Sequence, residues 1–262
     1  MPQGSVLGPP IFCSYIASYS ALSPVASVVK YADDVTLVIP FNSSSPIDIS
    51  DMINEEVDNF SSWCSSNKLT LNSAKSKYLL ITRRPIVLEN SLDIQRVSSI
   101  RLLGVYFNDK LSWDNHVDHL RVTCSHRLHI LRKLNSLISI NDLHVVYSSL
   151  VRSMMDYACP LFVGLSERHA TILRRLESRA HRIMFHGQRS SCCPPNSLKE
   201  RRLLLSSRLW DKIKKDKNHL LHPLLPQTLP VSKRYSVPSH RTDKFARSFF
   251  VFMTLFLNNS LP

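Results

Sequence analysis

The feature that most constrains this chain is the tetrapeptide Tyr31-Ala32-Asp33-Asp34, which lies between two short runs typical of β-strands, residues 27–30 and 35–39. β-Branched and aromatic residues on both sides of a short polar pair favour a β-hairpin with both carboxylates at its tip. Two adjacent like charges are unfavourable unless a cation lies close by, and carboxylate oxygens are the ligands that Mg²⁺ prefers. The alternative is that Asp-Asp serves only as good turn chemistry.

Three further sequence blocks stand in order around this hairpin. Residues 2–9 read PQGSVLGP and precede an apolar segment with helical spacing. Residues 69–76 read LTLNSAKS, and residues 102–107 read LLGVYF, with Trp113 and His116 following. Taken together, the four blocks resemble the reverse transcriptases of non-LTR, LINE-type retrotransposons. The resemblance continues more loosely to residue 249, and the tail at residues 250–262 departs from it.

The resemblance implies the palm of a polymerase whose reaction is RNA-templated DNA synthesis by two-metal nucleotidyl transfer. Asp33 and Asp34 would be the catalytic carboxylates and metal ligands, with Mg²⁺ as the cofactor and Mn²⁺ as a substitute. The partners would be an RNA template, a DNA primer and a deoxynucleoside triphosphate, and no membrane partner is expected.

Further roles follow from the same resemblance. Leu103 and Gly104 match the hairpin that grips the primer, and their structural alternative is a buried strand with a bend. Trp113 and His116 are expected to be structural residues that join the sheet to the first helix after it. The segment that contains Gln3 and Gly4 has the alternative of being an ordinary turn. Lys75 has the alternative of being a solvated surface charge. The residues expected to contact the nucleotide or template are Gln3, Gly4, Ser5, Tyr31, Ala32 and Lys75.

The chain departs from the family upstream of the hairpin, because no acidic residue precedes Asp33. The family's palm carries a further metal-binding Asp on an earlier strand and also a fingers region. We therefore expect a truncated, C-terminal part of the enzyme with little or no polymerase activity alone, unless the missing N-terminal portion is supplied in trans. Two alternatives are a non-catalytic nucleic-acid-binding module and the functionless product of a decayed element.

The expected fold class is α+β, with an antiparallel sheet that has helices on one face. It divides into a partial palm at residues 1–111, an all-α thumb-like region at 112–190 and a basic helical and loop tail at 191–262. Ser45-Pro46 predicts a helix start, and residues 77–82 and 100–107 are typical of strands.

Four apolar stripes with helical spacing follow. They are Val117, Leu120, Cys124, Leu128, Leu131 and Leu134; Leu143, Val146, Tyr147, Leu150 and Met154; Ile172, Leu173, Leu176, Ala180, Ile183 and Met184, ended by Gly187; and, after a capping box at Ser197 and Glu200, Leu205, Leu209 and Ile213.

Charge is unevenly distributed along the chain. Residues 1–120 hold 9 Lys/Arg against 12 Asp/Glu, a net charge of −3, whereas residues 121–262 hold 24 against 8, a net charge of +16. This asymmetry favours a polyanionic partner for the second half over a merely solvated surface. The basic residues expected on the polar helix faces are Arg121, Arg127, Arg132, Lys133, Arg174, Arg175, Arg179, Arg182, Lys212, Lys214 and Lys215.

The six cysteines include no pair with C-x-x-C spacing. A metal site at Cys192 and Cys193 with His181 and His186 matches none of the common zinc patterns. Reduced thiols are the simpler interpretation, in an intracellular protein of the nucleus or cytoplasm.

Overall fold

Helices dominate the part of the chain that the computed structural model describes, namely residues 4–42, 45–83, 86, 88, 94–185 and 197–260. The chain divides into two units, residues 1–100 and 101–262. The first holds 7 Lys/Arg against 9 Asp/Glu and the second 26 against 11. The basic half of the sequence, residues 121–262, therefore lies within one structural unit.

Where the structure describes it, the first unit contains two helices and two pairs of strands. The second helix begins where Ser45-Pro46 predicts, because the Ser45 hydroxyl accepts a hydrogen bond from the backbone N–H of Asp48 and Pro46 occupies the first helical position. The elements are α1 Gly8–Ala17, β1 Ser27–Tyr31, β2 Asp34–Val38, α2 Pro46–Ser66, β3 Lys77–Tyr78 and β4 Gln95–Arg96.

The core of the first unit is small. Ile49, Leu80 and Leu88 are buried together, with half-buried neighbours such as Ile53 and Tyr78 around them. A second apolar cluster joins the end of α1 to α2, where Tyr19 packs its ring on Phe60 and Trp63 at centroid distances of 4.8 and 5.5 Å.

The expected single antiparallel sheet is wrong for the described residues, although the α+β class is confirmed. Their strands form three separate pairs: β1 with β2, β3 with β4, and β5 Ser99–Leu102 with β6 Val105–Asn108. The pair β3–β4 is parallel and only two residues long, so the strand expected at 77–82 covers Lys77 and Tyr78 alone. Strands this short offer too few ladder hydrogen bonds to join the pairs into one sheet. The strand expected at 100–107 is instead a hairpin.

The second unit is helical after β6. In chain order it contains α3 Asp114–Leu134, α4 Ile140–Tyr147, a π-helical turn Ser148–Arg152, α5 Ser153–Asp156, a 3₁₀ turn Cys159–Phe162, α6 Glu167–Met184, α7 Leu198–Lys215, a 3₁₀ turn His222–Leu224, α8 Asp243–Ala246 and α9 Phe249–Ser260.

The main core lies among α3, α4, α5 and α6, and it confirms the first and third apolar stripes. Both helices α3 and α6 present their predicted apolar face to this core. Gly187, which was expected to end α6, lies outside the described residues. The buried members of the first and third stripes are Val117, Leu120, Cys124, Leu128, Leu131, Leu173, Leu176, Ala180, Ile183 and Met184.

The second stripe is partly wrong. Leu143 and Tyr147 are fully buried as expected, but the next fully buried residues are Val151 and Met155, while Leu150 and Met154 are half-buried. The reason is the π-helical turn at Ser148–Arg152, which adds about one residue to a helical turn and advances the buried face by one position.

The start of α7 confirms the capping box, because Ser197 accepts from the Glu200 N–H at 3.3 Å and the Glu200 carboxylate accepts from the Ser197 N–H at 2.9 Å. The buried face of α7, however, matches the prediction only at Ile213, which is fully buried. Arg202, Ser206 and Trp210 are buried, and Leu205 and Leu209 are half-buried. Periodicity could not identify a face whose buried residues include an arginine and a serine.

The C-terminal segment follows α7 through a loop at residues 218–240, which contains only a 3₁₀ turn and one isolated bridge between Thr228 and Tyr235. Trp210, Val163 and Met253 form a separate core with the aromatic residues of α9. None of the helices in the described ranges is both long and apolar enough to cross a membrane.

Candidate functional site

The acidic tetrapeptide forms the tip of an antiparallel hairpin, as the sequence predicts. The strands β1 and β2 pair from Ser27 opposite Val38 to Tyr31 opposite Asp34. Ala32 and Asp33 form the two-residue turn, and Asp34 is the first residue of the returning strand. Ala32 has a φ of 51°, in the left-handed region that two-residue hairpin turns require and that alanine rarely adopts.

Both carboxylates at this tip face solvent. Asp33 and Asp34 are exposed, as is Tyr31, of which 64% of the surface is accessible. Among the residues that the structure describes, neither carboxylate forms an ion pair, and no group of three His, Cys, Asp or Glu side chains is gathered into a metal site. The hairpin therefore offers two adjacent hard oxygen donors with open space around them. Such a donor set fits Mg²⁺, which commonly takes one or two carboxylates and completes its shell with water and phosphate oxygens.

The loop that leads into the hairpin is fixed by α2. Glu56 is 2% exposed, and its carboxylate accepts hydrogen bonds from the backbone N–H groups of Leu22 and Ser23 at 3.1 and 2.7 Å. The Asn59 side chain donates to the Ser20 carbonyl at 3.2 Å. Sequence reasoning missed Glu56 because it lies on the apolar side of α2, and the only signal was a carboxylate at an inward-facing helical position.

The expected nucleotide-binding segment lies just before α1. Gln3 is outside the described residues, whereas Gly4 and Ser5 are exposed in the turn that opens the helix. Gly4 has a φ of 88°, a conformation that favours glycine, and no atom lies within 4 Å of where a Cβ would stand. The conformation and surroundings of Gly4 are compatible with two roles: an ordinary turn residue, or a backbone surface that a ligand can approach closely.

Lys75 lies in a turn that Asn72 organises. The backbone N–H of Lys75 donates to the Asn72 side-chain oxygen at 3.2 Å, and Ser76 donates to the Asn72 carbonyl. The Lys75 side chain is exposed. In residues 4–42 and 45–83 no hydrogen bond or ion pair brings it to Asp33 or Asp34, so the structure does not join these residues into one cluster.

Leu103 and Gly104 form the two-residue turn between β5 and β6. Their φ angles of 45° and 85° are both positive, as a type I′ hairpin turn requires. The Tyr157 hydroxyl donates a hydrogen bond to the Leu103 carbonyl at 2.7 Å, and its ring lies 3.3 Å from the position of a Cβ on Gly104. Tyr157 therefore holds this turn, a role that no local pattern in the sequence indicates.

Trp113 and His116 pack inside the second unit at the start of α3. The Trp113 ring contacts Phe107 of β6 and Phe162 at centroid distances of 5.8 and 5.7 Å. His116 is 2% exposed, and burial followed by the nearby His119 lowers its pKa to about 4. A neutral, enclosed imidazole agrees with the structural role expected for this residue.

A polar network at the same helix end was not anticipated. Asn108 bonds the backbone N–H and the hydroxyl of Ser112, each at 2.8 Å. Ser112 and His169 donate to the two carboxylate oxygens of Asp114, at 2.5 and 2.8 Å, and these two hydrogen bonds lower the pKa of that carboxyl. Ser166, which also contacts the His169 ring, is the cap of α6, so this Ser-His-Asp arrangement is a link between helix ends.

The basic residues of the second unit are mostly available to a partner. Of the eleven expected on polar helix faces, nine are exposed, and Arg127 and Arg179 are half-buried. Three other arginines face inward: Arg152 pairs with Glu177 at 3.2 Å and Asp156 at 3.7 Å, Arg201 pairs with Asp156 at 3.5 Å, and Arg202 is 6% exposed. Cys192, Cys193 and His186, the candidate zinc ligands that were rejected, lie outside the described residues.

Comparison with known proteins gives one family and several relatives. Residues 1–107 match the reverse transcriptase (RNA-dependent DNA polymerase) family. The chain is 23% identical over 197 residues to the probable RNA-directed DNA polymerase from transposon X-element of Drosophila melanogaster, covering 70% of this chain and 21% of that protein. It is 23% identical over 196 residues to the RNA-directed DNA polymerase from mobile element jockey of Drosophila funebris, covering 68% of this chain and 21% of the relative.

A third relative is the probable RNA-directed DNA polymerase from transposon BS of Drosophila melanogaster, with 24% identity over 201 residues, 70% of this chain and 22% of the relative. The chain thus spans about a fifth of the length of these relatives. No solved structure gives a significant match.

Proposed function

Because the chain belongs to the reverse transcriptases of non-LTR, LINE-type retrotransposons, we propose that it carries the metal-binding hairpin and part of the template–primer surface of an RNA-directed DNA polymerase. The observation that carries the proposal is the hairpin tip, where Asp33 and Asp34 lie exposed beside a strained Ala32. Exposed adjacent carboxylates at the tip of a hairpin are suited to hold Mg²⁺ or Mn²⁺.

Asp33 and Asp34 would hold the divalent ions, which supply charge neutralisation and a lowered hydroxyl pKa in nucleotidyl transfer when bound. Tyr31 and Ala32 would lie beneath the primer terminus, where the alanine methyl group leaves room for the duplex. Gln3, Gly4 and Ser5 would border the incoming deoxynucleoside triphosphate and the template base. Lys75 would contact the leaving phosphates as a point charge.

From the charge distribution and the turn geometry, we propose roles for three segments of the chain. Residues 1–111 are the partial palm, whose type I′ turn at Leu103 and Gly104 would grip the DNA primer. Residues 112–190 are the thumb-like region, and 191–262 form the basic tail. The support for a nucleic-acid surface is the excess of Lys and Arg in residues 101–262, 26 against 11 acidic residues, with 13 of these basic residues exposed on helices.

The 262-residue chain is proposed to be inactive alone. Two-metal transfer needs a further bridging carboxylate, and the described residues gather only Asp33 and Asp34. Synthesis would then require a further metal-binding carboxylate, which a polymerase segment of a relative, added in trans, would supply.

Primer extension tests the proposal directly. The purified chain would be incubated with an RNA template annealed to a DNA primer, deoxynucleoside triphosphates and Mg²⁺, with and without the N-terminal polymerase portion of a relative. We expect synthesis only in the combined sample, and its loss in Asp33→Asn. The matched control is Asp58→Asn, an exposed aspartate of α2. Synthesis by the chain alone would refute the claim that it is inactive, whereas combined synthesis that survives Asp33→Asn would refute the catalytic role.

The second candidate is a nucleic-acid-binding module without catalysis, which the exposed basic helix faces favour. Binding to an RNA–DNA duplex would weaken with salt in proportion to the phosphates neutralised, with a slope of about −0.9 per contact in a double-logarithmic plot. Replacing Arg174, Arg175 and Lys212 with Gln should reduce that slope by about 2 to 3. Duplex binding without extension in any combination would favour this candidate, and salt-independent binding would exclude it.

A further inference from the structure

Lys30 occupies the inward-facing side of the acidic hairpin. Along β1, Ser27, Val29 and Tyr31 are exposed, whereas Val28 and Lys30 are half-buried. In a strand with one packed face, such an inward position ordinarily carries an apolar side chain. A lysine at this position therefore calls for a specific partner.

The partner is the C-terminal end of α1. The Lys30 ammonium donates hydrogen bonds to the carbonyl oxygens of Ala17 at 2.9 Å and Tyr19 at 2.5 Å. Ala17 is the last residue of α1, so its carbonyl lies among those that have no partner within the helix. A cation at this end of a helix is also favoured by the helix dipole.

Tyr19 ties this contact to a third element. The ammonium lies 5.7 Å from the centroid of the Tyr19 ring, within range of a cation–π interaction. Tyr19 is 3% exposed and packs on Phe60 and Trp63 of α2. Among the described residues no carboxylate pairs with Lys30, so its charge is met by carbonyl dipoles and this ring.

We propose that Lys30 is a positioning residue, which fixes the acidic turn against the end of α1 and so sets its placement relative to Gly4 and Ser5 at the start of that helix. The register places Lys30 opposite Val35, one pair from the closing pair of Tyr31 and Asp34. The helix between them, Gly8–Ala17, is a rigid spacer about 15 Å long. The inference rests on the proposed metal-binding function of the hairpin.

The test compares two Lys30 variants of the full chain with a matched control. Lys30→Met keeps the length and apolar stem of the side chain but removes its hydrogen-bond donors. Lys30→Arg keeps the charge and the donors. Lys77→Met makes the same change at an exposed strand lysine of the same unit. Two readouts are taken, namely amide hydrogen exchange of residues 27–38 and Mn²⁺ binding followed by electron paramagnetic resonance.

We expect Lys30→Met to speed exchange in residues 27–38 by about tenfold, the effect of losing hydrogen bonds to a charged donor. It should also weaken Mn²⁺ binding by about fivefold, while Lys30→Arg restores both and Lys77→Met changes neither. The direction of the metal effect is decisive. Removal of a positive charge near two carboxylates would by itself tighten cation binding, so weaker binding indicates lost positioning.

Two results would overturn the role of Lys30: unchanged exchange in residues 27–38, or Mn²⁺ binding that stays equal or becomes tighter in Lys30→Met. A wild-type chain that shows no Mn²⁺ binding sensitive to Asp33→Asn would instead refute the proposed function. The exchange measurement, which needs no metal, would then still decide whether Lys30 fixes the hairpin.

Discussion

Single buried polar side chains set how the second unit responds to acid and to substitution. His116 is enclosed by Trp113 and Phe162, with ring centroids 6.2 and 5.2 Å away. Neither of its ring nitrogens has a hydrogen-bond partner among the described residues. Burial also raises the pKa of the Glu177 carboxyl, against the opposing effect of Arg152. Because burial shifts the pKa values of these groups in the folded chain, the free energy of unfolding depends on pH.

We predict that His116 makes the protein acid-sensitive. Its folded pKa of about 4 lies below the unfolded value of 6.5, so between these values the unfolded chain binds a proton that the folded chain excludes. This contribution to stability is therefore complete above about pH 7 and is lost as the pH falls from 6.5 towards 4, by on the order of 3 kcal/mol. His116→Phe should flatten the dependence of the free energy of unfolding on pH between 5 and 8, measured by urea denaturation.

The control for this experiment is His126→Phe, an exposed histidine on the same helix, which should leave the pH dependence unchanged. Equal slopes in the wild type and His116→Phe would contradict the assignment.

Gly164 is the second residue-scale test. A Cβ at this position would lie 2.4 Å from the carbonyl oxygen of Arg247 and 2.8 Å from its Cα. Because both are backbone atoms, Gly164→Ala must displace the segment that leads into α9, and we expect a loss of about 1–3 kcal/mol in the free energy of unfolding. Gly8→Ala is the control, since its Cβ would meet only the Ser5 side chain at 4.0 Å. Equal thermal shifts for the two variants would argue against this close approach.

At the scale of elements, the π-helical turn Ser148–Arg152 decides which side chains reach the core. Leu143, Tyr147, Val151 and Met155 are spaced by four residues each and are all at most 1% exposed. A regular α-helix drifts away from such a spacing, because it completes a turn in 3.6 residues. The wider turn at Ser148–Arg152 removes this drift.

We predict that deletion of Ser149, an exposed residue of this turn, converts it to regular α-helix and keeps the same four side chains buried. The spacing would become four, three and four, which suits the α-helix. The free energy of unfolding should change by no more than about 1.5 kcal/mol. Deletion of Ser125 in the middle of α3 is the comparison, because it rotates the later core residues by about 100° and should prevent cooperative unfolding. A Ser149 deletion as damaging as the Ser125 deletion would refute this explanation.

Element by element, the sequence predicts what local chemistry determines. Ser45-Pro46 and the Ser197–Glu200 capping box predict helix starts because the groups that satisfy the free N–H donors lie within three residues. The pairing around Asp33 follows from short-range turn preferences. The buried face of α7 could not be predicted, since Arg202 is buried against charges from Asp156 and Glu177, which are distant in sequence. The hydrogen bonds that Lys30 donates to the end of α1 and that Tyr157 donates to Leu103 likewise depend on tertiary contacts.

At the scale of the whole molecule, the two units differ in how much core supports them. Among the residues that the structure describes, the main core of residues 101–262 contains 15 buried hydrophobic residues, whereas the cluster of residues 1–100 built on Ile49 contains three. Large apolar side chains of the first unit such as Val6, Leu22 and Val25 are at least 60% exposed. Less burial of apolar surface means less stabilisation per residue.

We therefore predict that amide protons of α1, β1, β2 and α2 exchange at least about tenfold faster than those of α3 and α6, because they open by partial unfolding. Hydrogen exchange followed by mass spectrometry on the full chain checks this. Similar protection in α2 and α3 would show that the units unfold together.

The hold of Tyr157 on the turn at Leu103 and Gly104 also bears on the order in which the protein is made. The hydroxyl that bonds the Leu103 carbonyl is encoded 54 residues after it. During synthesis the strands β5 and β6 can therefore pair well before their turn gains this bond, and the turn remains without it until α4 and α5 have emerged. Ribosome-bound chains that end after β6 but before Tyr157 would therefore contain the β5–β6 hairpin without the hydrogen bond to its turn.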